Sequence, residues 1–272
     1  MSSNKDDGAP TLSSDILAHP IARDCVPPMG WTSENVALDF SISREAMDSF
    51  AAMSQQRAAR AQELGRFRQE IVPVEAFQKD PATGERRRVV VDQDDGIRPG
   101  TTAEGLGKIR AAFPQWEPSH TTGGNASQIT DGAASVLLMT RRKADELGLK
   151  IKAKFITTQV CGLAPRIMGI GPTIAIPMAL QQAGLSIGDV DLFEINEAFA
   201  SMYVYCVQKL ELDVEKVNVN GGAIALGHPL GATGARQVAT GLAELERRGG
   251  KVLVTSMCIG LGMGAAAVFI RE

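Results

Sequence analysis

The most informative stretch of this sequence reads Asn220-Gly-Gly-Ala-Ile-Ala-Leu-Gly-His-Pro-Leu-Gly-Ala-Thr-Gly-Ala-Arg236, with five glycines and one proline around a single histidine, His228. Glycine allows close backbone approach and Pro229 fixes φ directly after the histidine, so we expect the imidazole on a rigid turn. From Ala232 onward the pattern is helical, and it ends in two arginines followed by glycines, as helix C-termini prefer. A histidine just before a helix N-terminus is predicted to stay neutral, which suits a base.

The composition limits the class of protein. The 272 residues, 44% of them apolar, suffice for a sizeable core in one large or two medium domains. A net charge of −3 disfavours nucleic acid or an anionic membrane surface as a partner. The four cysteines lack CxxC spacing, which disfavours a zinc site and a disulfide framework and favours a reducing compartment. No apolar run reaches the roughly 20 residues of a membrane span, and residues 1–12 are predicted to be a disordered polar tail without a signal peptide.

Residues 13–127 are predicted to be rich in loops, with one strong amphipathic helix. Ser43 is a typical N-cap for this helix, and Gly65 is a typical stop. The basic run Glu85-Arg-Arg-Arg88 is interpreted as a solvated turn. A loop of small residues then leads into the apolar run Val136-Leu-Leu-Met139, a pattern typical of a buried strand.

From residue 154 onward, strand and helix patterns alternate. The predicted elements, in chain order, are strand Phe155–Val160, helix Pro172–Ala183, strand Val190–Ile195, helix Asn196–Leu210, strand Val217–Val219, the helix after His228, strand Lys251–Cys258 and strand Gly264–Ile270. Parallel neighbours in a sheet need helical crossovers, and two consecutive final strands need none. The pattern βαβαβαββ therefore predicts an α/β fold with a mixed sheet flanked by helices.

Three loops that follow predicted strands carry polar side chains. Asn196 follows one strand, His228 lies in the loop after the next, and Cys258 ends a third. An amide, an imidazole and a thiol at one sheet edge suit proton transfer and stabilisation of an oxyanion. Each residue also has a structural interpretation: Asn196 as a helix cap, His228 as a core histidine and Cys258 as a small hydrophobe. Their joint placement at strand ends favours the catalytic interpretation.

These loops resemble the three C-terminal signatures of the thiolases, in the same order. The matching segments are Asn196-Glu-Ala-Phe-Ala200, Gly222–Arg236 and Cys258-x-Gly-x-Gly-Met-Gly264. The resemblance continues upstream in Met29-Gly-x-Thr-Ser-Glu-Asn-Val-Ala37, Ser43-Arg44, Gly65-Arg-Phe67, Glu70-Ile-Val-Pro73, Arg98-x-Gly100 and Gly124-Asn-Ala-Ser-x-x-x-Asp-Gly-Ala133, so it covers all but about the first dozen residues. Within the family, Phe193-Glu-Ile-Asn, Gly231-Ala-Thr-Gly and the ending Phe269-Ile-Arg-Glu are most similar to the peroxisomal 3-ketoacyl-CoA branch.

The resemblance implies a thiolase-like fold and an acetyl-CoA C-acyltransferase activity, which is thiolytic cleavage of a 3-ketoacyl-CoA in fatty acid β-oxidation. By motif, Cys258 would move the proton at the substrate α-carbon, and His228 would activate the attacking thiol and stabilise an enolate oxygen. Asn196 would hold a water in the same oxyanion site, and the backbone N–H of Gly260 would serve a second one. The family uses coenzyme A as a substrate and needs no metal or other cofactor.

The resemblance also implies substrate contacts, partners and a location. Two residues match positions that approach coenzyme A, Ser127 and Arg98. Four match positions that line the pantetheine and acyl pocket, Met29, Phe113, Met168 and Phe199. The partners implied are coenzyme A and acyl-CoA, with a second copy of the chain or a full-length thiolase as the protein partner. A peroxisomal location is implied, although no targeting signal is visible in the sequence, and the cytosol is the alternative.

One departure from the family concerns the cysteine that becomes acylated, which lies in the family ahead of the residues matched here. The other cysteines, Cys25, Cys161 and Cys206, do not fit its position. We therefore expect a truncated chain whose N-terminal half is largely absent and whose activity is impaired. The predicted domains are a loop domain at 13–127, a closing segment of the N-terminal domain at 128–149 and a complete C-terminal domain at 150–272. A non-catalytic protein that binds coenzyme A or associates with a thiolase is the alternative function.

Overall fold

The computed structural model describes residues 12–272, so the predicted tail lies outside the described residues except for Leu12. Ten α-helices are found in this part of the chain: α1 Ser14–Ala18, α2 Pro20–Arg23, α3 Met29–Asp39, α4 Arg44–Glu63, α5 Ala103–Gly107, α6 Arg141–Glu146, α7 Pro172–Ala183, α8 Ala200–Lys209, α9 Ala223–Leu226 and α10 Thr233–Arg248. The strands are β1 Val74–Lys79, β2 Arg86–Val91, β3 Ala153–Gly162, β4 Leu192–Ile195, β5 Val252–Ile259 and β6 Met263–Arg271.

A four-stranded mixed sheet with the order β3-β6-β5-β4 forms the centre of the molecule. β6 pairs antiparallel with both β3 and β5, whereas β5 and β4 are parallel. The carboxyl ends of β4 and β5 therefore lie side by side at one sheet edge. The predicted strand Val217–Val219 is wrong as a full strand, because it contributes only an isolated parallel bridge between Val217 and Phe193.

Both faces of this sheet are covered by helices. Phe193, Val254 and Val268 point into a core shared with α4, α7 and α8. Leu192 and Leu253 alternate with them and pack on the opposite face against α10. Every residue of β4 is buried, as expected for a strand covered on both faces. The result is a layered α/β fold in which α10 lies directly behind the parallel pair.

Local sequence signals located several helices well. α4 begins after Ser43, whose hydroxyl accepts a hydrogen bond from the backbone of Ala46 (3.2 Å), as an N-cap does. α7 has the predicted bounds and stops at Gly184, which adopts positive φ. α8 begins later than predicted, at Ala200, so Asn196 is not its cap.

Two predictions for the first half are wrong. The basic run near residue 86 is exposed as expected, but it lies on β2, which forms an antiparallel hairpin with β1, and not in a turn. The predicted buried strand ending at Met139 is also absent, since residues 131–139 form neither helix nor strand. Leu137 is 76% exposed and Leu138 72% exposed. A strand needs a hydrogen-bonding neighbour, and no described residue provides one for this segment.

Candidate active site

Asn196 and His228 are in direct contact. Asn196 follows β4, and its backbone N–H donates to Ser256 O on β5 (2.9 Å). The backbone N–H of His228 donates to Gln128 O (3.0 Å), which fixes the turn that follows α9. These anchors place Asn196 Nδ2 3.3 Å from His228 Nε2. Asn196 Oδ1 is buried and accepts no hydrogen bond from the part of the chain that the structure describes, so it is available to a water or a substrate group.

The imidazole of His228 is also held from its other side. Nδ1 lies 2.7 Å from Thr233 Oγ1. A proton on Nδ1 satisfies both contacts, because Nδ1–H donates to the threonine while Nε2 accepts from Asn196 Nδ2. Burial lowers the pKa of His228, and the positive charge of Arg236 lowers it further. The ring is therefore neutral, as expected, but burial is the largest cause of the lowered pKa. The 3-10 turn Leu230–Ala232 lies between His228 and α10 in the chain.

Cys258 lies at the end of β5, opposite Gly264 of β6. Its thiol is buried in an apolar cluster with Met168, Ala198 and Met202, and Sγ lies 3.7 Å from Met202 Sδ. Burial raises the pKa of this thiol to about 12. Cys258 is therefore protonated at neutral pH and holds a proton that it can donate, whereas the reactive thiolate is scarce.

The predicted pocket residues divide into two groups around this centre. Met168 packs in the cluster of Cys258, and Phe199 packs against that cluster. Ser127 is joined to the same loop, because its backbone N–H donates to Ala198 O (3.0 Å) and the preceding residue forms a bridge with Phe199. These three predicted residues therefore surround the loop that carries Asn196.

Met29 and Phe113 approach from the side of Gly260. Met29 begins α3, and its Cε lies 2.8 Å from the position that a Cβ on Gly260 would occupy, so a side chain there would displace it. The ring of Phe113 covers the Cα of Gly30 in the next position of the helix. Met29 is 53% exposed, which leaves this side of the site open to a ligand.

Arg98 is the one predicted site residue that the structure connects only indirectly. Its backbone N–H donates to Gln55 Oε1 (2.7 Å), and Gln55 Nε2 donates in turn to Ile224 O (3.2 Å) in α9. The residue itself is exposed. Within residues 12–272, Arg98 makes no hydrogen bond or ion pair with another predicted site residue. The structure therefore places it at the periphery, on the loop before α5.

Glu197 is a buried carboxylate that the sequence analysis did not select. It accepts hydrogen bonds from Ser54 Oγ (2.6 Å), Asn218 Nδ2 (2.7 Å) and the backbone N–H of Ile224 (3.1 Å). These contacts tie α4 and the start of α9 to the residue that follows Asn196. The available signal in the sequence was the position of Glu197 inside the segment Asn196-Glu-Ala-Phe-Ala200, directly after a predicted buried strand. A carboxylate at a buried position requires hydrogen-bond donors around it, so this residue could have been predicted to hold neighbouring segments together.

A second overlooked carboxylate lies on β4. Glu194 Oε2 accepts from Arg236 Nη1 at 3.0 Å, and both side chains are largely buried. Burial raises the pKa of Glu194 to about 7, although the charge of Arg236 opposes this shift. The arginine ends the glycine-rich stretch and is the same residue that lowers the pKa of His228. The pair therefore links the electrostatics of β4 to those of the imidazole.

The other thiols make hydrogen bonds to backbone carbonyls. Cys25 Sγ donates to Ile21 O (3.4 Å), Cys161 Sγ to Gly171 O (3.6 Å) and Cys206 Sγ to Gly169 O (3.9 Å). Burial raises the pKa of the Cys206 thiol above its ordinary range. Nothing in residues 12–272 groups three or more histidine, cysteine or acidic side chains around a possible metal position. The helices in that range include none with the length and apolar character needed to cross a membrane.

Comparison with known proteins follows the two halves of the chain. The family model for the thiolase N-terminal domain matches residues 14–142, and that for the thiolase C-terminal domain matches residues 149–271. The prediction that the N-terminal half is largely absent is therefore not supported.

Relatives show the same pattern. The peroxisomal 3-ketoacyl-CoA thiolase B of Rattus norvegicus is 59% identical over 259 residues, which cover 95% of this chain and 60% of that protein. The peroxisomal 3-ketoacyl-CoA thiolase of Homo sapiens gives the same values. The chain thus spans about 60% of the length of these relatives.

Solved structures agree with the fold. The dimeric peroxisomal thiolase of Saccharomyces cerevisiae is 49% identical with a TM-score of 0.86, covering 96% of this chain and 63% of that one. Human mitochondrial 3-ketoacyl-CoA thiolase in complex with CoA is 41% identical with a TM-score of 0.81, covering 90% and 59%. With both family models matched across 14–142 and 149–271, this chain belongs to the thiolase family.

Proposed function

We propose that this chain is an acyltransferase of the thiolase type that acts on 3-ketoacyl-CoA thioesters. The observation that carries the proposal is the contact of Asn196 Nδ2 with His228 Nε2 at 3.3 Å, next to β5, which carries Cys258 one residue before its end. The named activity of the peroxisomal relatives supports it. Coenzyme A and acyl-CoA are the proposed ligands, and no further cofactor is proposed.

The proposed chemistry assigns the two proton transfers to Cys258 and His228, and the stabilisation of oxyanions to Asn196 and Gly260. In the cleavage direction a thiolate adds to the β-carbonyl carbon, and the bond between the α- and β-carbons then breaks. The electron pair of that bond stays on the α-carbon as the enolate of acetyl-CoA, while the acyl group remains on the attacking sulfur. The thiol of Cys258, which its raised pKa keeps protonated at neutral pH, donates its proton to that carbon, and the resulting thiolate is the base for the reverse step. The coenzyme A thiol would replace Asn196 Nδ2 at His228 Nε2, and the Nε2 lone pair would then accept the proton of that attacking thiol. A water held by Asn196 would stabilise the oxyanion in the site next to His228. The backbone N–H of Gly260 would stabilise the second oxyanion.

The acyl group needs a second thiol to receive it before coenzyme A attacks. The three other described thiols donate to backbone carbonyls, and none of them makes a hydrogen bond with Asn196, His228 or Cys258. We therefore propose that thiolytic turnover by this chain is impaired, whereas proton transfer at the α-carbon is retained. Non-catalytic binding of coenzyme A is the second candidate, and the high pKa of the Cys258 thiol favours it.

The finer assignments are part of the same proposal. Ser127 and Arg98 would approach coenzyme A, and four residues would line the pantetheine and acyl pocket, Met29, Phe113, Met168 and Phe199. We propose the domain divisions 13–127, 128–149 and 150–272. A peroxisomal location and a homo-oligomer are proposed on the names of the relatives, one of which is described as dimeric.

Deuterium uptake by acetyl-CoA tests the proposed proton transfer without requiring that an acyl group be transferred. The chain is incubated with acetyl-CoA in D2O, and the mass of the acetyl methyl group is followed. We expect uptake that falls by about 100-fold or more in Cys258→Ala and His228→Gln, the range for loss of a general acid or base. Cys25→Ala, which lies outside the site, is the matched thiol control and should behave like the unmodified chain. Uptake that persists in Cys258→Ala would refute the assignment.

A second experiment separates the two candidate functions. The chain is mixed with acetoacetyl-CoA and coenzyme A, and thiolysis and the intact protein mass are measured together. We expect no acyl adduct and little turnover. An adduct that disappears in Cys25→Ala would show that Cys25 receives the acyl group and would refute impairment. Binding of coenzyme A by calorimetry, with neither deuterium uptake nor turnover, would leave the non-catalytic function.

A further inference from the structure

Gln237 on α10 is fully buried, with 0% of its surface exposed. Its side-chain amide reaches across two neighbouring strands. Nε2 donates to Glu194 O on β4 at 3.0 Å and to Ser256 O on β5 at 3.1 Å. Both donors of one amide group are thus used on the backbone of two different strands, at the end of the sheet where the candidate site lies.

The two carbonyls lie close to the catalytic side chains in the chain. Glu194 is two residues before Asn196, and Ser256 is two residues before Cys258. Ser256 O also accepts the backbone N–H of Asn196 at 2.9 Å. The amide of Gln237 therefore links β4 to β5 in addition to the backbone hydrogen bonds between these strands. The link lies two residues before Asn196 on one strand and two residues before Cys258 on the other.

The same helix restrains the third catalytic residue. Thr233, one turn before Gln237 on α10, lies at 2.7 Å from His228 Nδ1. The next contact of the helix with β4 is the ion pair of Arg236 with Glu194. The first turns of α10 thus contact His228 directly and contact the backbone two residues before Asn196 and Cys258.

Stability alone does not account for a glutamine at this position. Its Oε1 is buried and has no hydrogen-bond partner within residues 12–272. An unpaired buried acceptor is destabilising, whereas the cluster that α10 forms with β4 and β5 also contains the apolar side chains Leu192, Leu245 and Leu253. An apolar side chain would fill the same space without that cost, so the two donated hydrogen bonds are the property that distinguishes glutamine.

We propose that Gln237 is a positioning residue for the thiolase site, which sets the separation of the ends of β4 and β5 and thereby the placement of Asn196 relative to Cys258. This inference rests on the proposed function for its catalytic readout, but not for its structural one. Gln237 touches no reacting atom, and it acts through the backbone of the two strands.

Two variants test the proposal. Gln237→Leu removes both donors at similar volume. Thr240→Val on the next turn is the matched control, because it removes one partly buried hydrogen bond, from Thr240 to Glu70 at 2.8 Å, that involves neither β4 nor β5. Both are compared with the unmodified chain at equal fraction folded, by iodoacetamide labelling of Cys258 and by deuterium uptake into acetyl-CoA.

We expect Gln237→Leu to label Cys258 about tenfold faster, because loss of two hydrogen bonds that hold a local opening closed raises the open population by roughly that factor. For deuterium uptake into acetyl-CoA, kcat should fall in Gln237→Leu while KM stays unchanged. Thr240→Val should change neither the labelling rate nor the deuterium uptake. Equal labelling of Cys258 in Gln237→Leu and in the unmodified chain would overturn the proposal. If acetyl-CoA takes up no deuterium with the unmodified chain or with either variant, the proposed function fails. The rate of Cys258 labelling still decides the role of Gln237 in that case.

Hydrogen exchange on the unmodified chain keeps the test decisive if Gln237→Leu does not fold. The amide of Asn196 should exchange as slowly as that of Leu253 in the middle of β5, because the cross-link holds the strand end closed. An Asn196 amide that exchanges at least tenfold faster than the Leu253 amide would overturn the proposal.

Discussion

Shortening Met202 should raise the reactivity of Cys258. The side chain of Met202 is almost fully buried, and its Sδ lies 3.7 Å from Cys258 Sγ. In Met202→Ala the thioether is lost from the apolar cluster around the thiol, which leaves a cavity beside it. Water near the thiol would stabilise the thiolate, so the pKa of Cys258 should fall from its present high value.

The size of the effect follows from the pKa. Burial raises the pKa of the Cys258 thiol from 9.0 to about 12, so the thiolate fraction at pH 8 is about 1,000-fold below that of an unperturbed thiol. Only the thiolate reacts with alkylating agents. Labelling of the unmodified chain should therefore rise about tenfold per pH unit between pH 7 and 11. Each unit by which Met202→Ala lowers the pKa should add another factor of about ten at pH 8.

The assay is the rate of iodoacetamide labelling of Cys258, read by peptide mass. Met178→Ala on α7 is the matched control, since Met178 is 37% exposed and lies outside the cluster of Cys258. Met202→Ala should also lose about 2–5 kcal/mol of unfolding free energy, as large-to-small core substitutions do, so labelling is compared well below the unfolding transition. A plateau in the rate of the unmodified chain near pH 9, or identical rates in both variants, would refute the reasoning.

Three further predictions concern the charged groups behind the site. Arg236→Met should raise the pKa of His228, because the arginine charge now lowers it; NMR titration of the ring tests this, and an unchanged or lower pKa would contradict it. Glu194 has a folded pKa of about 7 against 4.5 when unfolded, so its contribution to stability is fully present below pH 4.5 and is lost as the pH rises through 7. Glu194→Gln should therefore flatten the fall in unfolding free energy over this range by at most about 3 kcal/mol, and a steeper fall in urea titrations would count against the argument. Ser54→Ala removes a 2.6 Å hydrogen bond to the buried carboxylate of Glu197 and should cost about 1–3 kcal/mol in the same assay, whereas no loss would mean that the carboxylate is satisfied without it.

The wrong predictions share a cause, which is that strands depend on distant partners. The run ending at Met139 has the apolar composition of a buried strand, yet it forms no strand in the described chain and its leucines are exposed. Val217–Val219 likewise provides one bridge instead of a strand. Asn196 was a plausible cap by composition, but α8 starts four residues later, because the segment between them is held by Glu197 and by the bridge to residue 126.

The sequence by itself determined the local elements and the order of the site loops. Ser43 marks the start of α4 and Gly184 marks the end of α7, because helix-capping residues act within a few residues of their own position. The alternating pattern placed Asn196 and Cys258 at strand ends, and the parallel pairing of β4 with β5 then brought those ends together.

Tertiary structure alone decided the properties that make these residues a candidate site. The pKa of Cys258 depends on how completely Met202 and its neighbours exclude water, and that of His228 depends on burial and on Arg236. The cross-link by Gln237 joins residues that are far apart in the chain. Desolvation and hydrogen bonding between distant segments arise only when the layers pack, so no local pattern of residues encodes them.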